Sequence, residues 1–194
     1  MSERLGPFPR EAWSELLLRL FPAGHEMTDT SDEGGRRRSG PPNILLTIGR
    51  VPGLLEPFLG FANALATTGT LPRREGELLA LRAAWHCRSA FEWGHHVEYA
   101  LDAGLSEADV DRVVDGPDAA GWGEVDAALL RAADELHTAQ KVSDATWAVL
   151  RGAFDDAQLV QIPFIVGHYT MLSMVASSTD VPLEPGLPAL PERG

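Results

Sequence analysis

The sequence predicts an all-α protein, and three observations carry that prediction. Apolar residues recur at helical spacing along most of the chain. No stretch alternates with the two-residue period of a strand. Ser, Thr or Asp stands just before most of the apolar-periodic runs, where helix N-caps belong.

Taken in order, residues 10–21 (REAWSELLLRLF) read as a short amphipathic helix. Residues 28–42 (TDTSDEGGRRRSGPP) have loop composition, as a disordered loop or a lid. A helix is expected over 44–49, broken by Pro52. Another is expected over 53–67, with Pro57 in its first turn, where a missing N–H costs least. Thr70 is the expected N-cap of a helix at 71–86. Ser89 and Glu92 form an S-x-x-E capping box for a helix running to 103, and Gly104 is its natural C′ residue. Ser106 and Asp109 open a short helix, and a loop covers 115–123. A helix follows at 124–138, Ser143 caps another at 144–153, and Asp155 or Asp156 starts a long one reaching 177. From Pro182 the chain is Pro-rich and extended. The expected division is an N-terminal helix and flexible loop at 1–43, a helical domain at 44–181 and a tail at 182–194.

With 194 residues, 44% hydrophobic and 23% charged, the chain can bury one core. Sixteen basic against 28 acidic residues give a net charge of −12. That disfavours nucleic acid or anionic lipid as partners and leaves a small molecule as the expected one. The basic run Arg36-Arg37-Arg38 reads as a solvated loop, or alternatively as an arm that meets an anionic substrate. A single cysteine, Cys87, forbids an intramolecular disulfide and suits the cytoplasm. No stretch reads as a leader or a membrane span. The apolar run at 162–176 is interrupted by Pro163, Gly167, His168, Thr170 and Ser173 and reads as a buried core helix. Zinc-type Cys/His spacing, a phosphate loop and a GxSxG elbow are absent from the sequence, so no metal and no cofactor is expected.

On the 71–86 helix, Glu75, Arg82 and His86 share one side. Glu77 falls nearly opposite, among Ala80, Leu81 and Ala84. A carboxylate on an apolar face must be paired, hydrogen-bonded or protonated, which suits either an acid/base group or an ion pair with Arg74. On the next helix Trp93, Val97, Ala100 and Leu101 make the apolar stripe. Glu92 and His96, four apart, border it, while His95 falls with Glu98 and Asp102 on the polar side. A histidine one turn from a carboxylate is a usable base, and equally a satisfied core-edge residue; Glu92 alone is accounted for by the capping box. Cys87, two residues before a helix start, is either an activated thiol or a small buried apolar residue. His168 and Tyr169 sit in an apolar helix that also carries Gln161, and such buried polar groups need partners. Trp13, Trp122 and Trp147 read as core or interface anchors.

The stretch LPRREGELLALRAAWHCRSAFEWGHHVEYALDAGLSEADV resembles the core of the carboxymuconolactone decarboxylase/AhpD-like family. The later stretch from AALLRAADELH to TDVPLEP resembles a subgroup of it. The resemblance implies an AhpD-like helical bundle around a helical hairpin, assembled as a homo-oligomer (dimer, trimer or hexamer). It places Glu77 and His96 at the family's glutamate and histidine. Thiol-peroxidase members carry Cys-x-x-Cys four residues before the histidine; counted back from His96, this chain has Ser89 and Glu92 there, with Cys87 out of register by two. The Glu-Trp-x-x-His version looks like the decarboxylase branch.

The resulting expectation is a cofactor-independent acid/base enzyme, a lyase or isomerase acting on a small carboxylate or lactone-like substrate. Glu77, Glu92 and His96 would be catalytic, and Cys87, Ser89, Trp93, Arg74, His168 and Tyr169 would line the substrate site. Arg74, Arg50 or the 36–38 arm would hold a substrate carboxylate. The alternatives are a thiol peroxidase using Cys87 and a non-catalytic oligomeric binding protein.

Overall fold

Helix α4 (Arg73–Cys87) is the element around which the others pack, in contact with the helices α5, α6, α7 and α9 introduced below. The computed structural model describes residues 4–6, 8–22 and 41–192. The expected loop at 28–42 lies outside the described residues except for Pro41 and Pro42, and so does Arg36–Arg38. Among the described residues the structure is helical and has no strand.

Every residue of α4 from Glu77 to Trp85 is buried. The sequence reading gave this helix one polar side; instead it is enclosed all round, as a central helix is. Its polar residues therefore each need a partner. Arg82 donates to both carboxylate oxygens of Asp134 at 2.6 and 3.0 Å and to the carbonyls of Val113 and Val114. His86 meets the same carboxylate at 2.6 Å. Thr70 is not the N-cap. Pro72 holds that position, and the N–H groups of Thr70 and Leu71 donate to Oε1 of buried Gln161, whose Nε2 donates to the carbonyl of Leu65.

Arg88, in the left-handed conformation at φ 54°, ends α4 and turns the chain directly into α5 (Ala90–Asp102), its guanidinium stacked over Trp85. Helices α6 (Glu107–Asp115) and α9 (Asp156–Thr179) open on complete capping boxes, Ser106 with Asp109 and Asp155 with Gln158. Ser143 caps α8 (Asp144–Ala153), which follows α7 (Glu124–Ala139). The main core joins α4, α5, α7 and α9 through Leu78, Leu81, Trp93, Leu129, Leu130 and Ile162.

The first predicted helix divides in two: a 3-10 turn at Arg10–Ala12, then α1 (Glu15–Leu20) capped by Ser14. Six residues do not hold a helix in water by themselves. Leu17, fully buried, anchors it in a second apolar cluster with Ile44 and Ile48 of α2 (Asn43–Ile48), Leu55 of α3 (Leu55–Ala66), Phe91, Leu172 and Ala176. Burying one such leucine contributes about 1.5–3 kcal/mol. Trp13 and Trp122 pack on these clusters, whereas Trp147 is exposed.

By length and composition α9 matches a membrane span, contrary to the sequence reading, yet half of its most apolar window is buried against this chain's own helices. Its outer face exposes Val160, Phe164, Met171 and Met174. Beyond α9 the described residues 181–192 have no regular structure and cross the first turns of α5, with Leu183, Leu187 and Pro188 against Gly94.

Candidate functional site

The α4–α5 hairpin brings Glu77, Glu92 and His96 together. Nδ1–H of His96 donates to Oε2 of Glu77 at 2.6 Å, and Nε2 of His96 lies 3.7 Å from Oε2 of Glu92. All three side chains are buried, the imidazole 5% exposed. The ring of Tyr169 stands edge-on to His96 with centroids 4.2 Å apart, and Tyr99 also stands edge-on to it at 5.4 Å. Arg73, one turn before Glu77, is half exposed at the rim, its Nε 3.8 Å from Oε1 of Glu77.

Local structure explains why Glu92 is free to face His96. Ser89 caps α5 by accepting from the Glu92 N–H, as expected, but the reciprocal half of the capping box is not made. The Ser89 N–H donates to the carbonyl of Ala84 in the last turn of α4 instead. The Glu92 carboxylate therefore has no capping duty. Its Oε1 is buried and makes no hydrogen bond among the described residues.

The electrostatics follow from this burial. Desolvation pushes the Glu92 carboxyl above the usual carboxylate range, against the pull of His96 and His95. Burial by itself would lower His96, but the charge and hydrogen bond of Glu77, aided by Glu92, outweigh it and hold the imidazolium above its ordinary value. Burial keeps the Tyr169 phenol protonated well beyond its usual range, so its hydroxyl remains a donor.

The other expected site residues divide. Tyr169 joins the cluster. His168, its neighbour, is buried edge-on to that ring, stacked on Phe58 at 5.6 Å and edge-on to Phe61. Burial and the charge of His96 push it down to about 4. Arg74 points elsewhere, in a bidentate pair with Asp126 of α7 at 2.7 and 2.8 Å, and so neither holds Glu77 nor faces the cluster. Arg50 lies over the Phe8 ring and donates to the Gly6 carbonyl. Trp93 is a core residue packed near Trp85, and Ser89 is a buried cap. Cys87 is the last residue of α4, at the electronegative end of that helix rather than at the N-terminus of α5. Among the described residues no group of three or more His, Cys, Asp and Glu is placed to hold a metal ion.

Sequence reasoning missed two participants. Arg73 was legible as the residue four before Glu77. Glu184 was not: its carboxylate, 5% exposed, meets Nε2 of His95 at 2.8 Å and accepts the Asn43 N–H at 2.7 Å. His95 is consequently buried beneath the C-terminal segment instead of facing solvent with Glu98 and Asp102.

Residues 52–135 match the sequence profile of the carboxymuconolactone decarboxylase family. The fold is similar to that of an uncharacterized peroxidase-related protein from Ralstonia eutropha JMP134 with an alkylhydroperoxidase AhpD core (19% identity, TM-score 0.75, covering 94% of this chain and 93% of that one). It is also similar to a putative antioxidant defence protein AhpD from Agrobacterium tumefaciens (22%, 0.63, 69% and 92%) and to a debrominase solved with 2,3,4-tribromopyrrole (17%, 0.65, 74% and 78%). No curated protein matches the chain. The Glu77, Glu92 and His96 hairpin thus lies within the stretch that matches the carboxymuconolactone decarboxylase family profile, on an all-α fold similar to that of AhpD-like proteins.

Proposed function

We propose that the chain is an acid/base enzyme acting on a small carboxylate or lactone-like substrate, by decarboxylation or isomerisation. The observation that carries this reading is the unpartnered carboxylate oxygen of Glu92 beside an imidazole whose other nitrogen is fixed by Glu77. Glu77 sets the tautomer and orientation of His96, leaving Nε2 directed at chemistry. A carboxyl group raised by burial holds its proton more firmly than an exposed glutamate, which suits it to proton delivery.

In decarboxylation the carbon–carbon bond to the leaving carboxylate breaks, CO2 departs, and its electron pair passes to an enolate oxygen. The His96 imidazolium and the Tyr169 hydroxyl stabilise that oxygen by donating to it. The Glu92 carboxyl then delivers its proton to carbon and ends as the carboxylate. Isomerisation uses the same groups, with Glu92 first taking a proton from carbon. Arg73, half exposed at the rim, is the cation for a substrate carboxylate, in place of Arg74.

The test is turnover of a panel of small β-keto acids and unsaturated lactone carboxylates, read by CO2 release and ultraviolet absorbance. E92Q and H96A are expected to lower kcat by about 10²–10⁴. Full turnover in both variants would overturn the reading.

A further inference from the structure

We propose that Glu184 is a positioning residue for the Glu77, Glu92 and His96 site, and that the segment from Pro182 to Pro191 is the strap that keeps Glu92 in a dry setting. The inference rests on the acid/base reading above and concerns the control of that same site.

Four contacts tie the strap down. The Glu184 carboxylate bridges Nε2 of His95 and the N–H of Asn43. The Pro182 carbonyl accepts from the Asn43 amide at 2.9 Å, and the Pro191 carbonyl accepts from Arg88 at 2.7 Å. Gly94 makes the docking possible. A Cβ there would lie 2.9 Å from Leu183 Cδ1, 3.0 Å from the Pro188 carbonyl oxygen and 3.2 Å from Leu187 Cβ. The strap lies outside residues 52–135, the stretch that matches the family profile.

The strap acts on Glu92 through charge and exclusion of water. Glu92 is faced by His95 and His96 on its own helix and by Glu184 from the strap; Glu77 and Arg73 of α4 act through His96, and Tyr169 faces it from α9. His95 and His96 favour the carboxylate form, and Glu184 opposes them. The Glu184 charge and the dryness under the strap therefore both hold the Glu92 proton on. Asn43 and His95 in turn hold Glu184 ionised, below the usual carboxylate range against the effect of its burial.

The test is the Glu92 titration, followed by carboxyl-carbon NMR on the full chain, with the resonance assigned by its loss in E92Q. E184Q removes the charge and retains an oxygen that accepts from Asn43, its amide nitrogen then facing Nε2 of His95; its Glu92 midpoint is expected to move down. G94A displaces the strap, and Glu184 with it, without removing any ionisable group, and its midpoint is also expected to move down as water reaches the carboxylate. A merely structural strap would lower the unfolding midpoint in both variants and leave the Glu92 titration where it is in the wild type, and that result overturns the proposal. The measurement needs no substrate, so the acid/base reading stands or falls separately, on E92Q turnover.

Discussion

The Glu77 carboxylate sits 2.6 Å from Nδ1 of His96, both groups buried, so that each removes the other's need for water. Removing the carboxylate strands an imidazolium in a dry site. E77A is expected to lose roughly 3–5 kcal/mol of stability, the range for breaking one side of a buried ion pair. E77Q keeps the shape and loses the charge, so its main signature is in pH. A histidine held above its ordinary 6.5 contributes stability that is complete below that value and is lost as pH rises through the folded-state value. Glu92, also raised, adds a decline that begins above its ordinary 4.5. Urea denaturation of the wild type from pH 6.5 to 9 is therefore expected to show falling stability, with a shallower slope in E77Q. Parallel profiles would show that Glu77 does not control the His96 proton.

His168 works in the opposite direction. It is held neutral down to about 4, so the unfolded chain takes up its proton first as pH falls through 6.5. Stability is complete above 6.5 and is lost toward pH 4, to a limit of about 3 kcal/mol. Its Nδ1 is buried without a hydrogen bond among the described residues, so a phenylalanine that keeps the stack on Phe58 discards only a liability. H168F is expected to match the wild type in melting temperature at pH 7.5 and exceed it at pH 5. Equal acid sensitivity of the two proteins would refute this account.

Two arginines on α4, eight residues apart, are expected to differ sharply. Arg82 is buried and its charge depends on Asp134, so D134A is expected to lower stability by roughly 3–5 kcal/mol. Arg74 is about one-third exposed, and D126A is expected to lower it by about 1 kcal/mol or less. Chemical denaturation of the two variants side by side decides; equal losses would contradict the burial argument.

Cys87 lies outside the proposed proton path, at the end of α4. C87A is expected to retain wild-type turnover on whichever substrate of the panel proves active, and peroxide pretreatment is expected to leave the rate unchanged. A C87A protein without activity would move the chemistry to the thiol.

What was legible in the sequence was short-range. The caps at Ser89, Ser106, Ser143 and Asp155 are set by residues three apart, and the Glu92/His96 pair by residues one turn apart. Glu77 was legible because a carboxylate stood out among Ala80, Leu81 and Ala84. Errors arose where a distant partner decided the matter. Thr70 looked like a cap until Gln161, 91 residues away, took its N–H. His95 looked solvated until Glu184, 89 residues away, covered it. Arg82 and His86 looked like a polar surface because nothing near them in sequence announces Asp134. Residues 28–40, read as a loop or lid, lie outside the described residues.

The two-residue link Arg88–Ser89 between α4 and α5 has a consequence for the order in which the protein is made. Glu77, Glu92 and His96 span only a short length of chain, so closing the loop that unites them sacrifices little entropy. Such local pairings form early, and a nascent polypeptide exposes these three residues together well before Glu184 has been synthesised. The proton-handling groups are thus expected to meet first in a wet, unshielded hairpin, and to acquire their final proton affinities only when the segment carrying Glu184 closes over them.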